Sequence, residues 1–172
     1  MKLVETDSSL SAVCRDVEQR LQDIVDLESL ELHVELLPNF DTKFPQHRLD
    51  PGLYLHSGKT IYINGATVSD HICEAVLTHE IAHAAFEHTL LDSRDYECYG
   101  NTDIVADLSA CKWGFYEEIK ADRRRVYGDI YCEVLDPSID NNERCQRLMI
   151  YRLHSRVPQV RPQLANLGQF PA

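Results

Sequence analysis

The chain of 172 residues has no uninterrupted apolar stretch of about 18 residues, so no segment reads as a membrane-spanning helix. Its beginning, "MKLVETDSSLSAVCRD", lacks the apolar run that a secretory leader needs, and a cytoplasmic protein is expected. Cations are scarce: 17 Lys and Arg stand against 28 Asp and Glu, a formal net charge of -11. Because nucleic-acid affinity rests on clustered cations, no nucleic-acid partner is expected. The one basic run, Arg123-Arg124-Arg125, sits among acids and reads as a solvated helix end. The six cysteines include no C-x-x-C pair, in a chain long enough to bury a core without staples, so reduced thiols are expected. Internal repeats and low-complexity blocks are absent as well. Residues 1–156 read as one domain, and 157–172, with Pro158, Pro162, Gly168 and Pro171, read as an extended C-terminal arm.

What is present is periodic. Leu10, Val13, Val17, Leu21, Ile24 and Val25 recur at helical spacing and predict an amphipathic helix from Ser9 to Leu27, capped by Ser8 or Ser9. "LELHVELL", Leu30 to Leu37, alternates apolar and polar residues and predicts a half-buried strand ending at Pro38. Two short runs, Leu53 to His56 and Thr60 to Asn64, flank Ser57-Gly58-Lys59 as a hairpin. A helix capped by Ser69 or Asp70 follows to about Leu91, with Ile72, Val76, His79, His83 and Phe86 on one side. After a loop, Leu91 to Asn101, "DIVADLSACKWGFYEEIK" predicts a third helix with Ile104, Leu108, Cys111 and Phe115 on a common face. A last helix is expected over Asn141 to Ser155. The fold class is α+β.

The residues that carry chemistry lie in "HEIAH". His79 and His83 are four apart, about 40° around a helix axis, so both imidazoles can address one ion. Glu80 lies about 100° away and cannot easily join them, but it can reach a water on the open side of that ion. This is the arrangement of zinc-assisted hydrolysis with a glutamate general base. A purely structural polar patch would have to accommodate two imidazoles on an otherwise apolar side.

Catalytic zinc takes three protein ligands as a rule. On a continuous helix His88 faces away from His79, and the residues at the metzincin glycine and third-histidine positions are Phe86 and Thr89. Asp103 and Asp107 are one turn apart on the next helix, so Asp103 can coordinate while Asp107 bonds the outer nitrogen of a ligand histidine. Glu97 is the alternative third ligand. An oxyanion-stabilising group is also required, with Tyr96, Tyr99, Tyr116, Tyr127 and Tyr131 as candidates.

In Gly52-Leu53-Tyr54, Ile61-Tyr62-Ile63-Asn64, "HEIAH", His88 and "DIVAD", over about residues 8 to 120, the chain resembles the compact gluzincins, in particular the phage-related and stress-response ImmA/IrrE metallopeptidases. The resemblance implies a small zincin-like domain. An N-terminal helix and a short sheet with a hairpin would precede an HExxH helix packed on a third-ligand helix, and a further C-terminal helix would follow. It also implies a Zn2+ cofactor and a protein or peptide substrate added as a strand to the hairpin edge; composition and the lack of a long apolar run separately lead to the expectation of no membrane partner. The family's third ligand is glutamate in E-x-x-A-D, whereas the matching residue here is Asp103, followed by Ala106 and Asp107. That substitution keeps a second expectation alive, a zincin-fold regulatory or protein-binding module that cuts nothing.

Overall fold

A computed structural model describes residues 4–5, 10–48, 50–65, 70–87 and 102–156. The architecture is α+β. Strand β1 (Val4–Glu5) precedes helix α1 (Ser11–Leu21), the short α2 (Leu27–Leu30), β2 (His33–Leu37) and the short α3 (Phe40–Lys43). A 3-10 turn at Pro45–His47 leads into β3 (Gly52–Leu55), and a second at His56–Gly58 joins it to β4 (Thr60–Asn64). Then come α4 (Asp70–Glu87), α5 (Thr102–Ala110), α6 (Tyr116–Tyr127), α7 (Asp129–Leu135) and α8 (Asn141–Arg156).

The four described strands form one sheet in the order β1-β2-β4-β3, with β2 parallel to both β1 and β4 and β3 antiparallel to β4. The hairpin therefore supplies both a central strand and an edge. Asn64 N–H donates to Pro51 C=O at 2.9 Å, so the alternation of an antiparallel ladder turns the backbone groups of Gly52 and Tyr54 away from β4.

Helix α4 is buried on several faces at once: Ile72, Ala75, Val76, Leu77, Ile81, Ala82 and Ala84 are all inside. A helix apolar on most sides belongs in a core. It packs against β3, β4, α1, α5 and α6. Gly52 explains how closely the edge strand approaches, because a Cβ there would stand 2.5 Å from Val76 Cγ1 and 3.2 Å from Glu80 Oε1. Only a residue without a side chain lets β3 lie directly on the face of α4 that carries Glu80.

Four expectations from sequence need correction. The first helix is shorter than Ser9 to Leu27, ending at Leu21, because Asp26 caps a separate turn by accepting from Ser29 N–H at 3.3 Å. The next strand begins at His33 rather than Leu30, since Leu30 closes that turn and Glu31 adopts a left-handed φ of 48°. The helix from Asp103 does not run straight to Lys120. It widens into a π turn at Cys111–Phe115, where Gly114 takes φ 95°, and restarts as α6. Cys145 is disulfide-bonded, whereas Cys14, Cys73, Cys111 and Cys132 are free and buried. Among the described residues no helix is long and apolar enough to cross a membrane. His88, Glu97, Tyr96, Tyr99 and the arm 157–172 lie outside the described residues.

Candidate metal centre

A cleft of about 470 Å3 opens between β3 and the α4–α5–α6 layer. His79, Glu80 and His83 line it from α4, Asp103 and Asp107 from α5, Arg123 and Tyr127 from α6, and His47, Asp50, Gly52 and Tyr54 from the opposite side. His79 and His83 point their Nε2 atoms at each other across 3.1 Å, rings nearly perpendicular at 86°. Asp103 Oδ1 stands 3.5 Å from His83 Nε2. One ligand atom from each of the three residues lies within 4.8 Å of the others.

These separations fit a shared ion. Two donors bound at 2.0–2.1 Å to a tetrahedral zinc stand roughly 3.3 Å apart. The observed 3.1 and 3.5 Å bracket that value. Two imidazole nitrogens that face each other also repel through their lone pairs unless a proton or a cation lies between them. The donor set, two imidazoles and one carboxylate, suits zinc.

The outer nitrogen of His79 is fixed by Asp107. His79 Nδ1–H donates to Asp107 Oδ1 at 2.7 Å, which leaves Nε2 with its lone pair toward the cleft. Arg123 donates to the same carboxylate from Nε (2.8 Å to Oδ2) and Nη2 (2.9 Å to Oδ1), and Tyr131 donates its hydroxyl to Oδ2 at 2.7 Å. Arg123 Nη1 also pairs with Asp122 at 2.8 Å. One carboxylate thus gathers α4, α5, α6 and α7 at the outer nitrogen of His79. Burial works against charge on Asp107, but His79 and Arg123 overcome it and hold the carboxyl well below the usual carboxylate range.

Arg123 corrects the reading of the basic run. Arg124 and Arg125 are solvated, whereas Arg123 is only 9% exposed. The signal that marks it is spacing: Arg123 follows buried Ile119 by four residues, so it alone of the three arginines falls on the apolar side of α6. Tyr131, one of five oxyanion candidates from sequence, serves Asp107 instead.

Glu80 is held from the strand side. Its Oε2 accepts from Tyr54 N–H at 2.8 Å, and the residue is 7% exposed. Across the cleft His47 Nδ1 pairs with Asp50 Oδ2 at 2.8 Å. The Tyr54 contact had no local sequence signal, because it depends on how the hairpin meets α4, whereas His47 and Asp50 are three residues apart in one loop.

His83 and Asp103 shift one another. Burial would lower the His83 pKa, yet the hydrogen bond to Asp103 and the charges of Glu80, Asp103 and Asp107 leave it raised; Asp103 is lowered chiefly by the same hydrogen bond. A raised imidazole pKa stabilises the metal-free fold below the ordinary value of about 6.5, and that contribution is lost as pH rises through the folded value. Zinc requires the neutral ring, so proton and metal compete. Added zinc is therefore expected to raise the melting temperature clearly at pH 7.5 and little at pH 5.5, measured by differential scanning fluorimetry. An equal shift at both values would contradict this.

The arrangement is that of a candidate metal centre in an open cleft, with a carboxylate beside it that is not part of the three-residue ligand set. No protein-family model matches the chain, and neither a curated protein nor a solved structure matches it.

Proposed function

We propose that the chain is a zinc metallopeptidase of zincin type that hydrolyses peptide bonds in a protein or peptide substrate. The observation that carries this reading is the convergence of His79, His83 and Asp103 at one wall of an open cleft that Glu80 also lines. Three protein donors suit a hydrolytic centre, since closed structural zinc sites take four. When bound, the ion supplies the Lewis acidity that makes a water nucleophilic near neutral pH.

The chain's own residues do the rest. His79, oriented by Asp107, and His83 act as neutral donors, and Asp103 contributes the third. Small buried residues on both helices, among them Ala82 and Ala106, suit the close approach that an aspartate shorter than glutamate requires. Glu80, held by Tyr54 N–H, takes one proton from the attacking water as the new C–O bond forms and the carbonyl π pair moves onto oxygen. The same carboxyl returns that proton to the amide nitrogen as the C–N bond breaks, giving a carboxylic acid and an amine. Edge strand β3 lies at the cleft, where an extended substrate can add its backbone to the sheet.

Zinc-loaded protein is expected to cleave members of an unstructured peptide library, to lose that activity with a chelator, and to regain it when zinc is restored, as read by mass spectrometry. Fully loaded protein that cleaves nothing would contradict the proposal.

A further inference from the structure

Attack on a carbonyl places negative charge on its oxygen, and a preorganised donor there stabilises the transition state far more than it stabilises the substrate. Tyr131 has given its hydroxyl to Asp107 at 2.7 Å. Tyr116 packs its ring under Lys120 Nζ, 4.9 Å from the centroid, and does not line the cleft. Tyr54 lines the cleft but packs its ring against the core, beside His56 at 6.5 Å.

Tyr127 differs from all three. It closes α6 at the rim of the cleft that His79, Glu80, His83 and Asp103 line. Its ring is fixed 4.9 Å from Tyr131, the residue is 46% exposed, and its hydroxyl makes no hydrogen bond to any described residue. Burial is the main cause that raises the phenol pKa, and Asp107, Asp103 and Asp50 add to it against the opposing charge of Arg123. Tyr127 shares the lining of this cleft with Asp103 and Asp107 on one side and Asp50 on the other, and burial keeps its phenol in the protonated form that can donate.

We propose that Tyr127 is a catalytic residue whose hydroxyl donates a hydrogen bond to the oxygen that becomes negative as the scissile carbonyl is attacked. The hydroxyl keeps its proton throughout, so no bond at Tyr127 is made or broken. This assignment rests on the peptidase reading above.

The test compares zinc-loaded full-length parent, Tyr127→Phe and, as a control phenol outside the cleft, Tyr116→Phe. Three quantities are read: kcat and KM on a peptide the parent cleaves, the affinity for a phosphinic peptide that mimics the charged tetrahedral carbon, and zinc content with melting temperature. Tyr127→Phe is expected to lower kcat by about 100-fold with KM within about twofold, and to weaken the phosphinic peptide by a similar factor. Zinc content and melting temperature stay at parental values, and Tyr116→Phe matches the parent throughout. Parental kcat and phosphinic affinity in Tyr127→Phe would overturn the assignment, as would loss of zinc or of melting temperature in step with activity. A parent that neither cleaves peptide nor binds the phosphinic peptide would overturn the peptidase reading and this assignment with it; a cleaving parent matched by Tyr127→Phe would overturn Tyr127 alone.

Discussion

Glu80→Gln protein is expected to cleave peptide 100- to 10,000-fold more slowly than the parent while binding zinc as well, because the change removes a proton acceptor and little else. Glu80 is not one of the three converging ligands. The glutamine carbonyl can accept Tyr54 N–H as Glu80 Oε2 does at 2.8 Å, so the contact between β3 and α4 survives. What the amide cannot do is take a proton from water and hand it to the leaving nitrogen. The assay pairs single-turnover cleavage with zinc content by atomic emission. Parental activity in zinc-loaded Glu80→Gln protein would remove Glu80 from the chemistry. A parent that binds zinc and holds a partner intact for hours, with Glu80→Gln holding it equally, would favour the non-cleaving binding module.

The second large effect is on folding. Asp107 is 1% exposed and accepts from His79, Arg123 and Tyr131. Asp107→Ala deletes the shared acceptor and leaves Arg123, itself 9% exposed, with Asp122 as its remaining anionic partner beside the Nη2 contact to His79 Nδ1 at 3.0 Å. Breaking a buried pair by removing one partner destabilises by about 3–5 kcal/mol, since the surviving charge keeps its desolvation penalty. That is a large share of the roughly 5–15 kcal/mol that holds a domain folded. Zinc affinity should fall about 10- to 100-fold in the same variant, because His79 loses the acceptor that fixes its tautomer. Asp107→Asn, which retains one acceptor oxygen, should lie between alanine and the parent on both measures.

The pH dependence of that effect has a definite sign. The Asp107 carboxyl titrates well below its ordinary value, so its contribution is complete above the unfolded value of about 3.9 and is lost only as pH falls through the lower folded value. Because the same charge also raises the His83 pKa and so favours the protonated ring, the difference between parent and Asp107→Ala in urea melts should be no smaller at pH 5 than at pH 7. A difference that collapses between those values would contradict the account.

The elements that carry their own period were legible in the sequence. The "HEIAH" segment sits within α4, the hairpin lies at β3 and β4 within a residue or two, and Asn141 opens the last helix as expected. The misreadings came where a local pattern competes with something nonlocal. Gly114 interrupts an otherwise helical period, and nothing in that period shows that the chain turns there through a positive φ. Arg123 reads as part of a solvated run unless its four-residue spacing from Ile119 is followed, and its partner Asp107 emerges only when α6 packs on α5. Sheet order was not readable either, because β2 pairs with β4, the hairpin's inner strand, rather than with its chain neighbour β3. At the candidate site, the His79, His83, Asp103 and Asp107 spacings follow from helix geometry and could be read directly. The contributions of Tyr54 N–H, Arg123 and Tyr131 depend on how separate elements meet.

The central claim is that α4 and α5 bring two imidazoles and the Asp103 carboxylate to a single divalent cation. Anomalous diffraction at the zinc absorption edge, on crystals grown with zinc, tests it most directly. The account predicts one strong peak within bonding distance of His79 Nε2, His83 Nε2 and an Asp103 carboxylate oxygen. No peak in that cleft, or a zinc held by other residues, would contradict it.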